Sequence, residues 1–327
     1  MDGKLVEPYS LAGKSVWVAG ETGMVGSATV RRLALENCNI LSATRRDLDL
    51  RDQAAVSAWM KNTRPDVVIV AAATVGGIFA NSTRPAEFLY DNLMIESNII
   101  HAAHDVATEK LLFLGSACIY PRDAAQPMAE NALLTGPLEP TNEWYAVAKI
   151  AGIKLCEAYR KQYGADFISA QPNNLYGPGD NFDLQSSHVI PALIRKAHQA
   201  KQSGEPAMDI WGTGSPLREF LHVDDLADAL IHLLKTYSGH SHINIGTGEE
   251  ISIKDLAHRI AIAVGFEGNL NFDRDKPDGS PRKLLKAGLM KELGWTSSIA
   301  LEEGLTSTYK WYLENVKPGG STGAKLS

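Results

Sequence analysis

Short runs of consecutive apolar residues alternate along this chain with longer stretches whose apolar positions recur every three or four residues. The first kind reads as buried strand, the second as amphipathic helix. SVWVAG (15–20) predicts a strand, followed by a helix from about Met24 to Leu35. NILSA and DVVIVAAA (66–73) predict two more strands, and a helix from Ala86 to about Ala107 follows. KLLFLGS (110–116), the helical stretch YAVAKIAGIKLCEAYRKQYG and the strand DFISAQPNN complete the series. Strands that are apolar throughout, each separated from the next by a helix, predict a parallel sheet covered on both faces: an α/β, doubly wound, Rossmann-type fold.

Beyond Asn174 the rhythm changes. YGPGDNFD reads as loop, Val189 to Ala200 as helix, and WGTGSPLREF as a Gly-rich turn. Asp224 or Asp225 is the expected N-cap of LADALIHLLKTY, since an aspartate accepts hydrogen bonds from free first-turn amides. HINIGTG gives one more strand, and SIKDLAHRIAIAVG and ALEEGLTSTYKWYLENV give two more helices. The expected organisation is a cofactor domain from 14–174 plus about 219–247. A smaller α/β substrate domain takes about 175–218 plus 248–316, with loosely held ends at 1–13 and 317–327. A chain of 327 residues is long enough to divide in this way.

Composition narrows the class. With 32 basic against 38 acidic side chains and no cationic run, a nucleic-acid surface is not expected. No apolar run is long enough to span a bilayer, and MDGKLVEPYS lacks the apolar core of a signal peptide. The 3 cysteines, Cys38, Cys118 and Cys156, are spaced neither as a disulfide framework nor as a zinc site, so no metal is expected and a reducing cytoplasm is the expected location.

Chemistry enters at the strand ends. Gly20, Gly23 and Gly26, in AGETGMVGS, stand where the first strand turns into the first helix, so that backbone amides can approach a pyrophosphate at the helix N-terminus. The spacing is Gly-x-x-Gly-x-x-Gly, not the commoner Gly-x-Gly-x-x-Gly. At the end of the second strand, Arg45 and Arg46 occupy the place where an acidic residue would bind the ribose 2′-hydroxyl of NAD, which favours NADP. Asp49 and Leu50 are expected to flank the adenine. Tyr145 and Lys149 lie four apart on one helix face, where an ammonium would pull the phenol pKa down towards neutrality. Ser116 ends the preceding strand, on the edge of a parallel sheet where ligands bind.

In this order the three elements resemble the extended short-chain dehydrogenase/reductase family, over nearly the whole chain. The resemblance implies a Rossmann domain, a Ser116–Tyr145–Lys149 catalytic set and a C-terminal lobe for a nucleotide sugar. VGGIFANSTRPAEFLYDNLMIESNIIHAAH, LGSACIYP, EPTNEWYAVAKIAGIKLCEAY, SSHVIPALIRK, REFLHVDD and KPDGSPRKLL are similar to the branch that epimerises GDP-4-keto-6-deoxy-D-mannose at C3 and C5 and then reduces C4 with NADPH. In that branch a cysteine and a histidine share the epimerisation, which implies Cys118 as base and His188 as acid. Tyr145 would protonate the C4 oxygen, Ser116 would hydrogen-bond it, and Lys149 would orient the nicotinamide ribose.

Further implied cofactor contacts are Met24, Val25, Leu114, Gly115, Pro172, Asn173, Asn174, Leu175 and His188. Lys196, Trp211, Arg218 and Asp278 are implied to hold the GDP-sugar, and a homodimer through paired helices is implied by analogy. The chain departs from the family in its first loop, where Gly20-Glu21-Thr22-Gly23 replaces Gly-His-Arg-Gly and the arginine that helps hold a 2′-phosphate is missing. That leaves the phosphate to Arg45, with NADPH still expected to be favoured over NADH. Ala117-Cys118 in place of the Asp-Glu pair of the family's dehydratases argues against elimination chemistry. The rival expectations are another nucleotide-sugar 4-epimerase or reductase on this fold, or a cofactor-sensing protein without catalysis.

Overall fold

The computed structural model describes residues 8–276 and 278–316 of the chain. The calls made on residues 1–7 and 317–327 lie outside the described residues. Six parallel strands form the central sheet: β1 (Ser15–Ala19), β2 (Asn39–Leu41), β3 (Val67–Val70), β4 (Lys110–Leu114), β5 (Asp166–Pro172) and the late strand Ile243–Ile245. Their order is Ile243–Ile245, β5, β4, β3, β1, β2. The order reverses between β3 and β1, the switch point at which open parallel sheets leave a crevice beyond their strand ends. Strands β3 and β4 are buried at every position, as their unbroken apolar sequences require.

The first seven α-helices in chain order are α1 (Met24–Leu33), α2 (Gln53–Thr63), α3 (Ile78–Thr83), α4 (Pro85–Asp105), α5 (Glu143–Tyr163), α6 (Val189–Ser203) and α7 (Val223–Thr236). Helices α2, α4 and α5 cover one sheet face over a core that includes Trp17, Val68, Ile99, Phe113 and Ile153. Helices α1 and α7 cover the other over Val16, Ile69, Leu112, Leu230 and Ile245. A third core, with Ile194, Phe182, Leu256, Ile260 and Tyr312, joins α6 to the helices Ile253–Val264 and Leu301–Asn315 and to the paired strands Ala207–Trp211 and Asn269–Asp273.

Two sequence expectations are corrected. Residues 8–13 are docked: Leu11 is buried in the second core, and the Tyr9 amide donates to the Lys235 carbonyl at 2.8 Å. The N-cap of α7 is His222, whose Nδ1 accepts from the Asp224 amide at 3.2 Å. Asp225 turns instead into the protein and accepts from the Ser298 and Ile299 amides at 3.1 and 3.0 Å. The short helix α3 precedes α4 in a stretch to which the sequence pattern gave no element; Arg84 (φ −132°, ψ 47°) breaks the two helices apart ahead of Pro85.

Candidate active site

The cleft lies beyond the C-terminal ends of the sheet strands. Its first wall is the turn from β1 into α1. Gly20 has φ +90°, and a Cβ there would lie 2.7 Å from the Ala72 backbone after β3. At Gly26 a Cβ would lie 2.0 Å from the Gly20 carbonyl oxygen, so α1 can approach the turn only with glycine at that position. Gly23 caps α1 without any side-chain hydrogen bond, which leaves first-turn amides next to Met24 and Val25 free for an external anion. This geometry fits a dinucleotide pyrophosphate.

At the adenine side, Arg45 and Arg46 are exposed after β2. Asp49 is already engaged by the Arg51 guanidinium at 2.8 Å, which holds its carboxyl at about 2. Leu50 packs against the first core. Glu21 reaches across from the Gly loop and accepts from the Ser42 hydroxyl at 2.6 Å, so a carboxylate stands beside the end of β2. The sequence located Glu21 in the loop; that it reaches β2 is visible only in the fold.

Strand β4 delivers the central group. Leu114 and Gly115 are buried, and Gly115 abuts the Gln171 side chain so closely that a Cβ would overlap its Oε1. The Ser116 hydroxyl accepts from the Cys118 amide at 3.4 Å, capping the 3-10 turn Ala117–Ile119. Cys118 packs with Phe88, Tyr145 and Ala146. The Lys149 ammonium lies 5.8 Å from the centroid of the Tyr145 ring and 4.7 Å from that of Phe113. Ser116, Cys118, Tyr145 and Lys149 thus converge from β4 and α5.

One expectation about acidity is corrected here. Burial pushes the Tyr145 phenol well above its ordinary value, and Cys118 and Glu96 add to the rise, so Lys149 does not bring the phenol towards neutrality. Tyr145 therefore keeps its proton, the form a proton donor needs. Burial also raises the Cys118 thiol, opposed by the Ser116 hydrogen bond and by the Lys283 and Lys149 ammonium groups. A thiol used as a base must overcome that penalty. Lys283 belongs to the KPDGSPRKLL segment, but nothing in the sequence shows that its charge faces Cys118.

His188 is the N-cap residue of α6 and is open to water within the cleft. The protein around the cleft nevertheless lowers its pKa. The loop before it is fixed against the loop after β3: the Gly77 amide donates to the Ser186 carbonyl at 2.9 Å, and a Cβ on Gly77 would meet the Ser187 carbonyl at 2.8 Å. This contact anchors the loop that leads into His188.

Pro172 ends β5, paired with Ile245, and the chain runs on into the short strand Asn174–Tyr176. The Asn173 side-chain amide donates to the Glu219 carboxylate, and that of Asn174 to the Glu219 carbonyl at 3.0 Å. Leu175 pairs with Leu221. The side chains of Asn173 and Asn174 are thus committed to Glu219.

The second wall carries the cations. Trp211 is 66% exposed, with the Lys196 and Lys276 ammonium groups 5.5 and 5.7 Å from its ring centroid. Arg218 and Lys283 are register partners on adjacent short strands. Asp278 accepts from the Thr213 amide at 2.9 Å and from its hydroxyl at 2.7 Å, which fixes the turn after Trp211. Among the described residues no cluster of histidine, cysteine or carboxylate side chains could hold a metal ion, and no helix is long and apolar enough to cross a membrane.

Comparison with known proteins agrees with this geometry. The model of the NAD dependent epimerase/dehydratase family matches residues 16–246. The chain is 58% identical to a GDP-L-fucose synthase of Sinorhizobium fredii over 94% of this chain and 98% of that one. It is 54% identical to the GDP-L-fucose synthase of Escherichia coli over 92% and 97%. Its fold superposes with a TM-score of 0.89 on a crystal structure of a GDP-L-fucose synthetase from Naegleria fowleri bound to NADP, at 30% identity and covering 95% of this chain and 98% of that one.

Proposed function

The chain belongs to the NAD dependent epimerase/dehydratase family, and from that premise we propose that it works as a GDP-L-fucose synthase. It epimerises GDP-4-keto-6-deoxy-D-mannose at C3 and C5 and then reduces C4. The observation that carries this reading is the convergence of a thiol, Cys118, with the Ser116–Tyr145–Lys149 set on one strand end. A plain 4-reductase has use for the last three only.

The hydrogens at C3 and C5 are acidified by the neighbouring ketone. Cys118 takes the proton, favoured by the Lys149 and Lys283 charges, and His188 supplies one from the other face. Loss of a proton puts negative charge on the C4 oxygen, where the Ser116 hydroxyl and the neutral Tyr145 phenol act as donors. In the reduction the same phenol gives up its proton to that oxygen. Lys149 orients the nicotinamide ribose, and the free amides at the start of α1 hold the pyrophosphate. NADPH, when bound, supplies the hydride. Arg45 holds its 2′-phosphate, partly opposed by Glu21. Lys196 and Arg218 answer the diphosphate of the sugar nucleotide, Trp211 offers a flat apolar surface, and Asp278 keeps their turn in place.

The division into a cofactor domain and an interleaved substrate domain belongs to the same proposal, supported by a third core separate from the two that flank the sheet. So does a homodimer through the outer faces of α4 and α5, where His101, His104, Tyr159 and Tyr163 form a chain of ring contacts and Tyr163 is exposed. Three free cysteines suit a reducing cytoplasm. The test is product analysis by NMR after incubation with GDP-4-keto-6-deoxy-D-mannose and NADPH. GDP-L-fucose formed in step with NADPH oxidation is expected. A reduced sugar that retains its original C3 and C5 configuration would leave only a reductase.

A further inference from the structure

One buried charged group in this region has no part in the chemistry above. Glu96, on α4, is 1% exposed; neither carboxylate oxygen has a side-chain hydrogen-bond partner among the described residues, and the Gly152 amide on α5 is the backbone group that favours its charge. A buried carboxylate so sparsely supported is costly unless a charge compensates it. The compensating charge is Lys149: its Nζ lies 3.9 Å from Glu96 Oε2, and Lys149 is itself 2% exposed. Gly152, one turn further along α5, leaves room for the Phe113 ring, which a Cβ there would overlap. Phe113 in turn lies against the ammonium.

We propose that Glu96 is a positioning residue that keeps Lys149 protonated and in place under the nicotinamide ribose; this rests on the cofactor role read for Lys149 above. Two effects compete at the lysine. Burial drives its pKa down, whereas the negative charge of Glu96, and secondarily the Cys118 thiol, drive it up. Burial raises the Glu96 carboxyl to about 7, and Lys149 is the charge that opposes this. The other titratable groups facing the pair are Tyr145 and Cys156 on α5, both pushed up in part by Glu96, and Cys118 on the 3-10 turn, beyond which stands Lys283. None of these replaces a full negative charge at the lysine. A packing role alone would be served by glutamine, which has the same shape.

Glu96→Gln removes the charge and keeps the volume. With the carboxylate gone, Lys149 loses its proton at a lower pH, so the alkaline loss of NADPH affinity sets in earlier. The direct test is the NADPH dissociation constant against pH, by fluorescence titration without any sugar nucleotide. The limb in Glu96→Gln is expected to move down by about one pH unit or more, a tenfold loss of affinity where the wild type still binds. Glu96→Asp, which retains the charge, should restore most of it. The pH profile of kcat/KM for reduction should move in the same direction. Superimposable binding limbs for wild type and Glu96→Gln would overturn the proposal and make Glu96 a packing residue. Should Glu96→Gln fail to fold, carbon NMR of the Lys149 side chain in the wild type decides instead: an ammonium that persists across the pH range of NADPH binding is expected, and a lysine already neutral there would overturn the proposal. Because binding is read without sugar, a shifted limb together with no turnover of GDP-4-keto-6-deoxy-D-mannose would refute the proposed reaction and leave the role of Glu96 standing.

Discussion

At the scale of single residues, charge placement decides which cofactor is used and which proton moves. Glu21, bonded to Ser42, puts a carboxylate beside the end of β2, and Arg45 and Arg46 stand exposed just beyond it, so in the proposed placement of the cofactor these opposite charges meet at the 2′-phosphate. Wild-type kcat/KM should favour NADPH over NADH, and parity would contradict this. Glu21→Gln should raise that preference about fivefold, equivalent to ~1 kcal/mol at a partly exposed charge; an unchanged or reduced ratio would remove Glu21 from the phosphate site. The Cys118 thiol, raised by burial, is held back by Lys283. Lys283→Gln should therefore shift the thiol titration upward, read from ultraviolet thiolate absorbance against a Cys118→Ser background. No shift would mean that the lysine charge does not reach the sulfur. Of these charges, Arg45 was legible from its place after a strand. Glu21 was legible as an acid in the first loop, though its bond to Ser42 was not; Lys283 and Glu96 were not legible, because each acts on a partner brought near only by the fold.

At the scale of elements, the sequence was most legible where periodicity is long. Helices α4 and α5 and the all-apolar strands β3 and β4 follow directly from their patterns. The two-residue strands Leu217–Arg218, Ile251–Ser252 and Arg282–Lys283 carry no period at all, yet together they hold Arg218 and Lys283 on the cleft wall. The α7 cap was misread because aspartate is the stronger general cap, while here tertiary contacts claim Asp225 for the Ser298 turn and leave His222 to accept the amide. The β1–α1 turn gives the sharpest element-level prediction. Gly26→Ala adds a methyl within 2.0 Å of the Gly20 carbonyl, so turn and helix must separate. NADPH affinity should fall by about tenfold or more as the pyrophosphate amides move out of line. Wild-type affinity in a folded Gly26→Ala protein would contradict the assignment of this turn to the pyrophosphate.

At the scale of the whole molecule, the proposed two-lobe arrangement needs its parts held in register for one cleft to serve two reactions. Glu219, fully buried, is the junction. Its carboxylate accepts from the Gly248 amide at 2.7 Å and the Leu285 amide at 3.0 Å, and Asn173 donates to it from the end of β5. The sheet and its flanking helices were legible in the sequence, but this junction was not, since its members lie far apart along the chain and none forms a motif. It joins the wall bearing Arg218 and Lys283 to the strand end bearing Ser116 and Cys118. On this account the ketone that loosens the hydrogens at C3 and C5 is reduced without leaving the cleft. The most direct measurement is deuterium incorporation from heavy water into GDP-4-keto-6-deoxy-D-mannose, followed by NMR without NADPH, for wild type and Cys118→Ser. The wild type should exchange hydrogen at C3 and C5, and the variant should lose most of that exchange while still binding NADPH. Exchange at the wild-type rate in Cys118→Ser, or none in the wild type, would contradict it.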